Sequence, residues 1–146
     1  YVPLETLLSE SDIISLNCPL TKENRHIINP DTISRMKKGV YIINTSRGKL
    51  VDTQALIDGL KSGQIGAAGL DVYEEETSLF FEDKSEEIIH DDNLSTLISM
   101  PNVIVTSHQA FLTREALAAI AETTIENLNS FFAGKEPKNE VVANSK

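Results

Sequence analysis

A doubly wound, parallel α/β sheet is the fold class this 146-residue sequence predicts, on three observations. Four short β-rich runs alternate with helical patterns. Two of the runs are almost continuously apolar, the pattern of strands covered on both faces. The connections have the length of crossover helices rather than of hairpin turns, and right-handed crossovers yield a parallel sheet.

The elements follow in order. A helix over residues 4–10 opens the chain, and a strand follows over Ile13, Ile14, Ser15 and Leu16. Asn29-Pro30 is a cap followed by proline at the first helical position, which starts a helix running to about Lys37. The second strand covers 40–43, and Asp52 then caps a helix through Leu60 with Gly63 just past its end. Residues 67–70 form the third strand, although Gly66 and Gly69 lower its propensity. A short helix over 91–99 stops at Pro101, ahead of the fourth strand at 103–106. Thr113 caps a long helix from Arg114 to about Ala133, ended by Gly134. Leu117, Ile120, Ala121, Thr124 and Leu128 recur along it at helical spacing, and at roughly 30 Å it exceeds what a crossover needs. It is expected to bridge to another domain, and the tail from Lys135 is polar.

Composition narrows the function. Hydrophobic residues make up 40% and charged residues 24%, which is globular rather than disordered. No apolar run reaches the roughly 18–20 residues of a membrane span. The start has no basic flank or apolar stretch of a signal peptide. One cysteine, Cys18, excludes an internal disulfide framework and fits a reducing, cytoplasmic setting. The formal charge of −9 repels phosphate backbones, so nucleic acid is not an expected partner. Most of that charge lies between Glu74 and Asp92, where nine acids face one lysine. That stretch reads as a solvated loop surface. Tyr1 leads directly into a helix without an initiator Met, as expected of a fragment of a longer protein.

In open α/β sheets, ligands bind beyond the carboxyl ends of the strands. Here the four ends are followed by Asn17-Cys18-Pro19, by Asn44-Thr45-Ser46-Arg47-Gly48, by Asp71 with Glu76 five residues on, and by Ser107-His108-Gln109. All four are polar or ionisable, so an active-site crevice is expected along one edge. Arg47, in a tight loop closed by Gly48, can hold a carboxylate in bidentate fashion. His108 suits general acid/base chemistry. Glu76 can stabilise its protonated imidazole, although from spacing alone it equally fits the acidic surface run. His26 and His90 lie away from strand ends and are given no chemical role. One cysteine and three scattered histidines offer no zinc spacing. No G-x-S-x-G elbow, no G-x-x-x-x-G-K-[ST] loop and no G-x-G-x-x-G occurs in the chain.

Three blocks, residues 44–48, residues 69–73 followed by Glu76, and residues 107–111, resemble the signatures of the NAD-dependent D-2-hydroxyacid dehydrogenases. Their order matches, as do the spacings of 29 residues from Arg47 to Glu76 and 32 from Glu76 to His108. Residues 79–85 and 108–113 look most like the fermentative D-lactate dehydrogenases. The resemblance implies that Arg47 binds the substrate carboxylate and polarises the 2-oxo group, that His108 protonates it, and that Glu76 tunes the histidine. It implies NAD contacts from Cys18, Pro19, Asn24, Thr45, Ser46, Arg47 and Asp71, and a substrate wall at Phe111. The fold becomes part of a Rossmann-like sheet, with residues 1–111 as the C-terminal half of the dinucleotide-binding domain. Residues 112–146 would carry the chain back to a missing substrate domain.

The implied reaction is pyruvate to D-lactate in a full-length homo-oligomer. Another D-2-hydroxyacid dehydrogenase, or a co-repressor-like dinucleotide-sensing module on the same fold, is the alternative. In the family a glycine-rich loop and an acidic ribose-binding residue precede the position of Tyr1. The chain alone is therefore expected to bind NAD weakly or not at all.

Overall fold

A computed structural model describes residues 1–76 and 91–141. The order is α1 (Leu4–Glu10), β1 (Ile13–Leu16), α2 (Pro30–Ser34), β2 (Val40–Asn44), a 3₁₀ turn (Gly48–Leu50), α3 (Thr53–Ser62), β3 (Ile65–Leu70), α4 (Asp92–Ser99), β4 (Val103–Val105) and α5 (Arg114–Phe132). The chain divides into two compact units, residues 1–109 and 110–146.

In the first unit the strands lie side by side in the order β1-β2-β3-β4, and every pairing is parallel. All four carboxyl ends therefore share one edge. Local sequence explains the helices between them. Asn29 and Thr32 form a reciprocal capping box, with Pro30 opening α2. Asp52 accepts the Ala55 N–H at 3.0 Å to start α3, and Gly63, at φ 73°, ends it. Asp91 caps α4 through the Leu94 N–H at 2.8 Å.

Two expectations are revised. α2 stops at Ser34, short of Lys37. Its last amides turn back to residues three earlier, Arg35 to Thr32 and Met36 to Ile33, and the Gln64 side chain takes the Ile33 and Met36 carbonyls. The last turn thus tightens to bonds between residues three apart, and the Gln64 amide meets the carbonyls at its end.

The sheet also has one covered face among the described residues, not two. Ile14, Leu16, Val40, Ile42, Ala68 and Leu70 pack into a core with Ile28, Leu56, Ile57, Leu60, Leu94 and Leu97. On the opposite face Ile13 is 61% and Ile104 71% exposed. Strands laid down in sequence order with right-handed crossovers place every connecting helix on the same side. The sheet is thus one half of a doubly wound arrangement, as expected of part of such a fold.

The second unit contains α5, capped by Thr113 Oγ1 on the Ala116 N–H at 3.2 Å. None of its residues is buried, and Leu117, Ile120 and Leu128 are about half exposed.

Candidate functional site

The β2 end is built around Asn44, which is 1% exposed. Its Nδ2 donates to the Arg47 carbonyl at 3.0 Å, and its Oδ1 accepts the Ser46 N–H at 3.1 Å. One buried amide therefore closes the turn that presents Thr45, Ser46 and Arg47. Ser46 Oγ donates to the Cys18 carbonyl at 2.6 Å and ties the β2 end to the β1 end. Asn24 completes that corner, with Nδ2 2.7 Å from the Pro19 carbonyl and 3.7 Å from Cys18 Sγ. Thr45 and Arg47 are exposed, and the Arg47 guanidinium donates to the Ser46 carbonyl at 2.7 Å.

Gly48 is where this turn meets the loop after β3. A Cβ there would lie 2.0 Å from the Tyr73 carbonyl oxygen and 2.6 Å from the Glu74 nitrogen. Only glycine permits that approach.

Asp71, 5% exposed, organises the β4 end. Its Oδ1 accepts Thr106 Oγ1 at 2.5 Å and the Gln109 N–H at 2.8 Å, and its carbonyl accepts the His108 N–H at 2.7 Å. His108 is thereby held with φ 54°, a left-handed conformation uncommon outside glycine and found mostly at asparagine, aspartate and histidine. Such a backbone persists where surrounding bonds over-determine it.

Glu76 meets this loop. Its Oε2 accepts the Tyr73 N–H at 3.1 Å, and its Oε1 lies 3.3 Å from His108 Nδ1, a nitrogen shielded from solvent. The Glu76 side chain is 15% exposed, so the carboxylate is no part of a solvated surface. The Tyr73 hydroxyl reaches Asp91 at 2.9 Å and links the same loop to the cap of α4. Burial and then the Asp91 carboxylate hold the Tyr73 phenol well above its usual range, so it stays a hydrogen-bond donor.

Glu76 and His108 are thus in contact, with Asp71 beneath the histidine loop. Cys18, Pro19, Asn24 and Ser46 form a second cluster, and Thr45 and Arg47 sit at its rim. Phe111 belongs to the second unit and is 50% exposed. Residues 79–85 and His90 lie outside the described residues. Asn44, part of the first signature block, and Thr106, the last residue of the expected fourth strand, carry no role in the sequence but organise the two strand ends. His26, also given no role there, lies 2.7 Å from Glu74. Among the described residues no group of three metal-binding side chains is gathered, and no helix is long and apolar enough to cross a membrane.

Residues 1–110 match the family model for the D-isomer specific 2-hydroxyacid dehydrogenase, NAD binding domain. The D-lactate dehydrogenase of Escherichia coli is 54% identical over 142 residues, covering 97% of this chain and 43% of that protein. Among solved structures, one described as identifying the pyruvate reductase of Chlamydomonas reinhardtii superposes with TM-score 0.89 at 49% identity, over 95% of this chain and 43% of that one. The D-lactate dehydrogenase of Lactobacillus jensenii with NAD⁺ gives TM-score 0.85 at 36% identity, over 98% and 43%. The chain therefore spans about two-fifths of the length of these relatives.

Proposed function

Because the chain belongs to the D-isomer specific 2-hydroxyacid dehydrogenase family through its NAD-binding domain, we propose that the full-length protein transfers a hydride between NADH and a small 2-oxo acid, reducing pyruvate to D-lactate. The observation that carries this reading is the 3.3 Å pair of Glu76 Oε1 and His108 Nδ1, set on the strand edge that also presents the Arg47 turn.

With Nδ1 facing Glu76, Nε2 is the nitrogen that gives a proton to the substrate oxygen in reduction and takes it back in oxidation. The Glu76 carboxylate, 3.3 Å from Nδ1, orients the ring so that Nε2 faces the substrate. Arg47 engages the substrate carboxylate through its planar fork and polarises the neighbouring carbonyl. By family resemblance alone, Phe111 is assigned the apolar wall that suits a methyl side chain.

The strand edge suits part of NAD. Thr45, Ser46 and Arg47 are assigned to the nicotinamide ring and the buried Asp71 to its amide, and the corner of Cys18, Pro19 and Asn24 to the adenosine side. When bound there, the cofactor supplies the hydride. The pyrophosphate is a different matter, since the chain has no G-x-G-x-x-G to bring backbone amides close to it. Calorimetric titration of this chain with NADH is therefore expected to give no binding at micromolar concentration. A micromolar dissociation constant would show that the strand edge suffices.

Exposed apolar side chains on α5 support residues 112–146 as the bridge to a substrate domain. A single cysteine supports a cytoplasmic setting. The substrate assignment is tested by a screen of 2-oxo acids on the full-length protein. Pyruvate is expected to have the highest kcat/KM, and a preference for branched or bulky 2-oxo acids would replace lactate with another D-2-hydroxy acid.

A further inference from the structure

Among the described residues, only two outside glycine have positive φ: His108 and His26, both at 54°. His108 belongs to the site. His26 lies in the connection between β1 and α2, and its surroundings hold it as firmly. Its N–H donates to the Lys49 carbonyl at 2.9 Å, and its own carbonyl accepts Asn29 Nδ2 at 2.8 Å. Its Nε2 lies 2.7 Å from Glu74 Oε1, which also takes Arg25 Nη2 at 3.1 Å. The second Glu74 oxygen accepts Thr53 Oγ1 at 3.2 Å.

Glu74 is 15% exposed and is held by two segments distant in sequence. Burial pulls its carboxyl upward, but the bonds to His26 and Thr53 outweigh this and keep it below the usual range, hence ionised. It stands between Tyr73, whose N–H holds one Glu76 oxygen, and Glu76 itself. Its backbone nitrogen faces Gly48, the residue after Arg47. Lys49, which anchors the His26 backbone, follows Gly48 directly. His26 thus ties the arginine turn and the glutamate loop to one point.

We propose that His26, assisted by Arg25, is a positioning residue. By holding Glu74 it fixes the Tyr73–Glu76 turn, so that Glu76 faces His108 and keeps a constant relation to the Arg47 turn. The role rests on the reading of Glu76 and His108 as the proton-handling pair. A misplacement on the order of 1 Å in such a pair costs up to about a hundredfold in rate.

The test is steady-state kinetics of the full-length protein in H₂O and D₂O. His26→Ala is expected to lower kcat about tenfold with both KM values within about twofold, and to raise the solvent deuterium isotope effect as proton transfer slows. His26→Gln, with an amide donor of similar reach, is expected to recover most of kcat. A purely structural defect would reduce the amount of active protein and leave the isotope effect unchanged. If His26→Ala does not fold, Glu74→Gln serves in its place, with the same kcat loss and isotope effect expected. An unchanged kcat or isotope effect, or an equal loss in His26→Gln, overturns the role. His108→Gln, measured alongside, separates the two readings. If it remains active, the proton-handling pair fails and the positioning role with it. If it is inactive while His26→Ala behaves as wild type, the positioning role alone fails.

Discussion

Replacing His108 with Gln is expected to lower turnover of the full-length protein by about a thousandfold while leaving NADH affinity within about twofold. Glutamine keeps a polar group facing Glu76 but has no nitrogen that gains and loses a proton near neutral pH. The loss should therefore fall on kcat and kcat/KM together, as when an interaction made in the transition state is removed. The anchors of the loop are untouched, because the Asp71 carbonyl bonds the residue 108 backbone and its carboxylate bonds Thr106 and Gln109. The φ of 54° is retained by those anchors, at a small backbone cost because glutamine is less suited to it than histidine. A melting curve measures that cost separately from turnover. Turnover within tenfold of wild type, in protein that melts cooperatively, would remove His108 from the reaction.

Much of the fold is legible because its signals are local. The α1 and β1 limits, the Asn29-Pro30 start, the Asp52 and Asp91 caps and the Gly63 stop each depend on residues a few positions apart. Strand ends could be placed for the same reason, and with a parallel sheet they brought Arg47, Asp71 and His108 to one edge. What could not be read depends on distant contacts. The end of α2 is met by the side chain of Gln64, which lies 28 residues from Met36. Apolar strands suggested two covered faces, but sheet order decides which side the helices take, and order is not encoded in any one strand.

The acidic run shows the same limit. Glu74 and Glu76 sit in a stretch of nine acids, and nothing in its composition distinguishes them from a solvated surface. The distinction comes from partners 48 and 32 residues away, His26 and His108. Family spacing singled out Glu76 for this reason, whereas Glu74 and His26 had no such signal. Gly48 was recognised as closing the arginine turn, but its contact with Tyr73 is tertiary and was not visible.

Gly48→Ala is expected to destabilise the chain by about 3 kcal/mol, lowering its melting temperature by roughly 10 °C, and to disrupt the site in the full-length protein. The new methyl would meet the Tyr73 carbonyl oxygen at 2.0 Å and its carbon at 2.1 Å. These are backbone atoms, so no rotamer change can relieve the overlap, and one of the two loops must move. On one side is the Arg47 turn, closed by the Asn44 amide and bonded to Cys18 through Ser46. On the other is the Tyr73–Glu76 loop, held by Asp91 at Tyr73 and by His26 and Thr53 at Glu74. Neither can shift without stretching part-buried hydrogen bonds, each worth about 1 kcal/mol net and more where a charge is involved. Separating the loops also alters the relation of Arg47 to Glu76 and His108, so kcat/KM should fall by at least about a hundredfold. Gly48→Ser, with the same Cβ, should behave alike. Wild-type melting and turnover in either variant would show that the two loops are not in the contact on which the arrangement of the site depends.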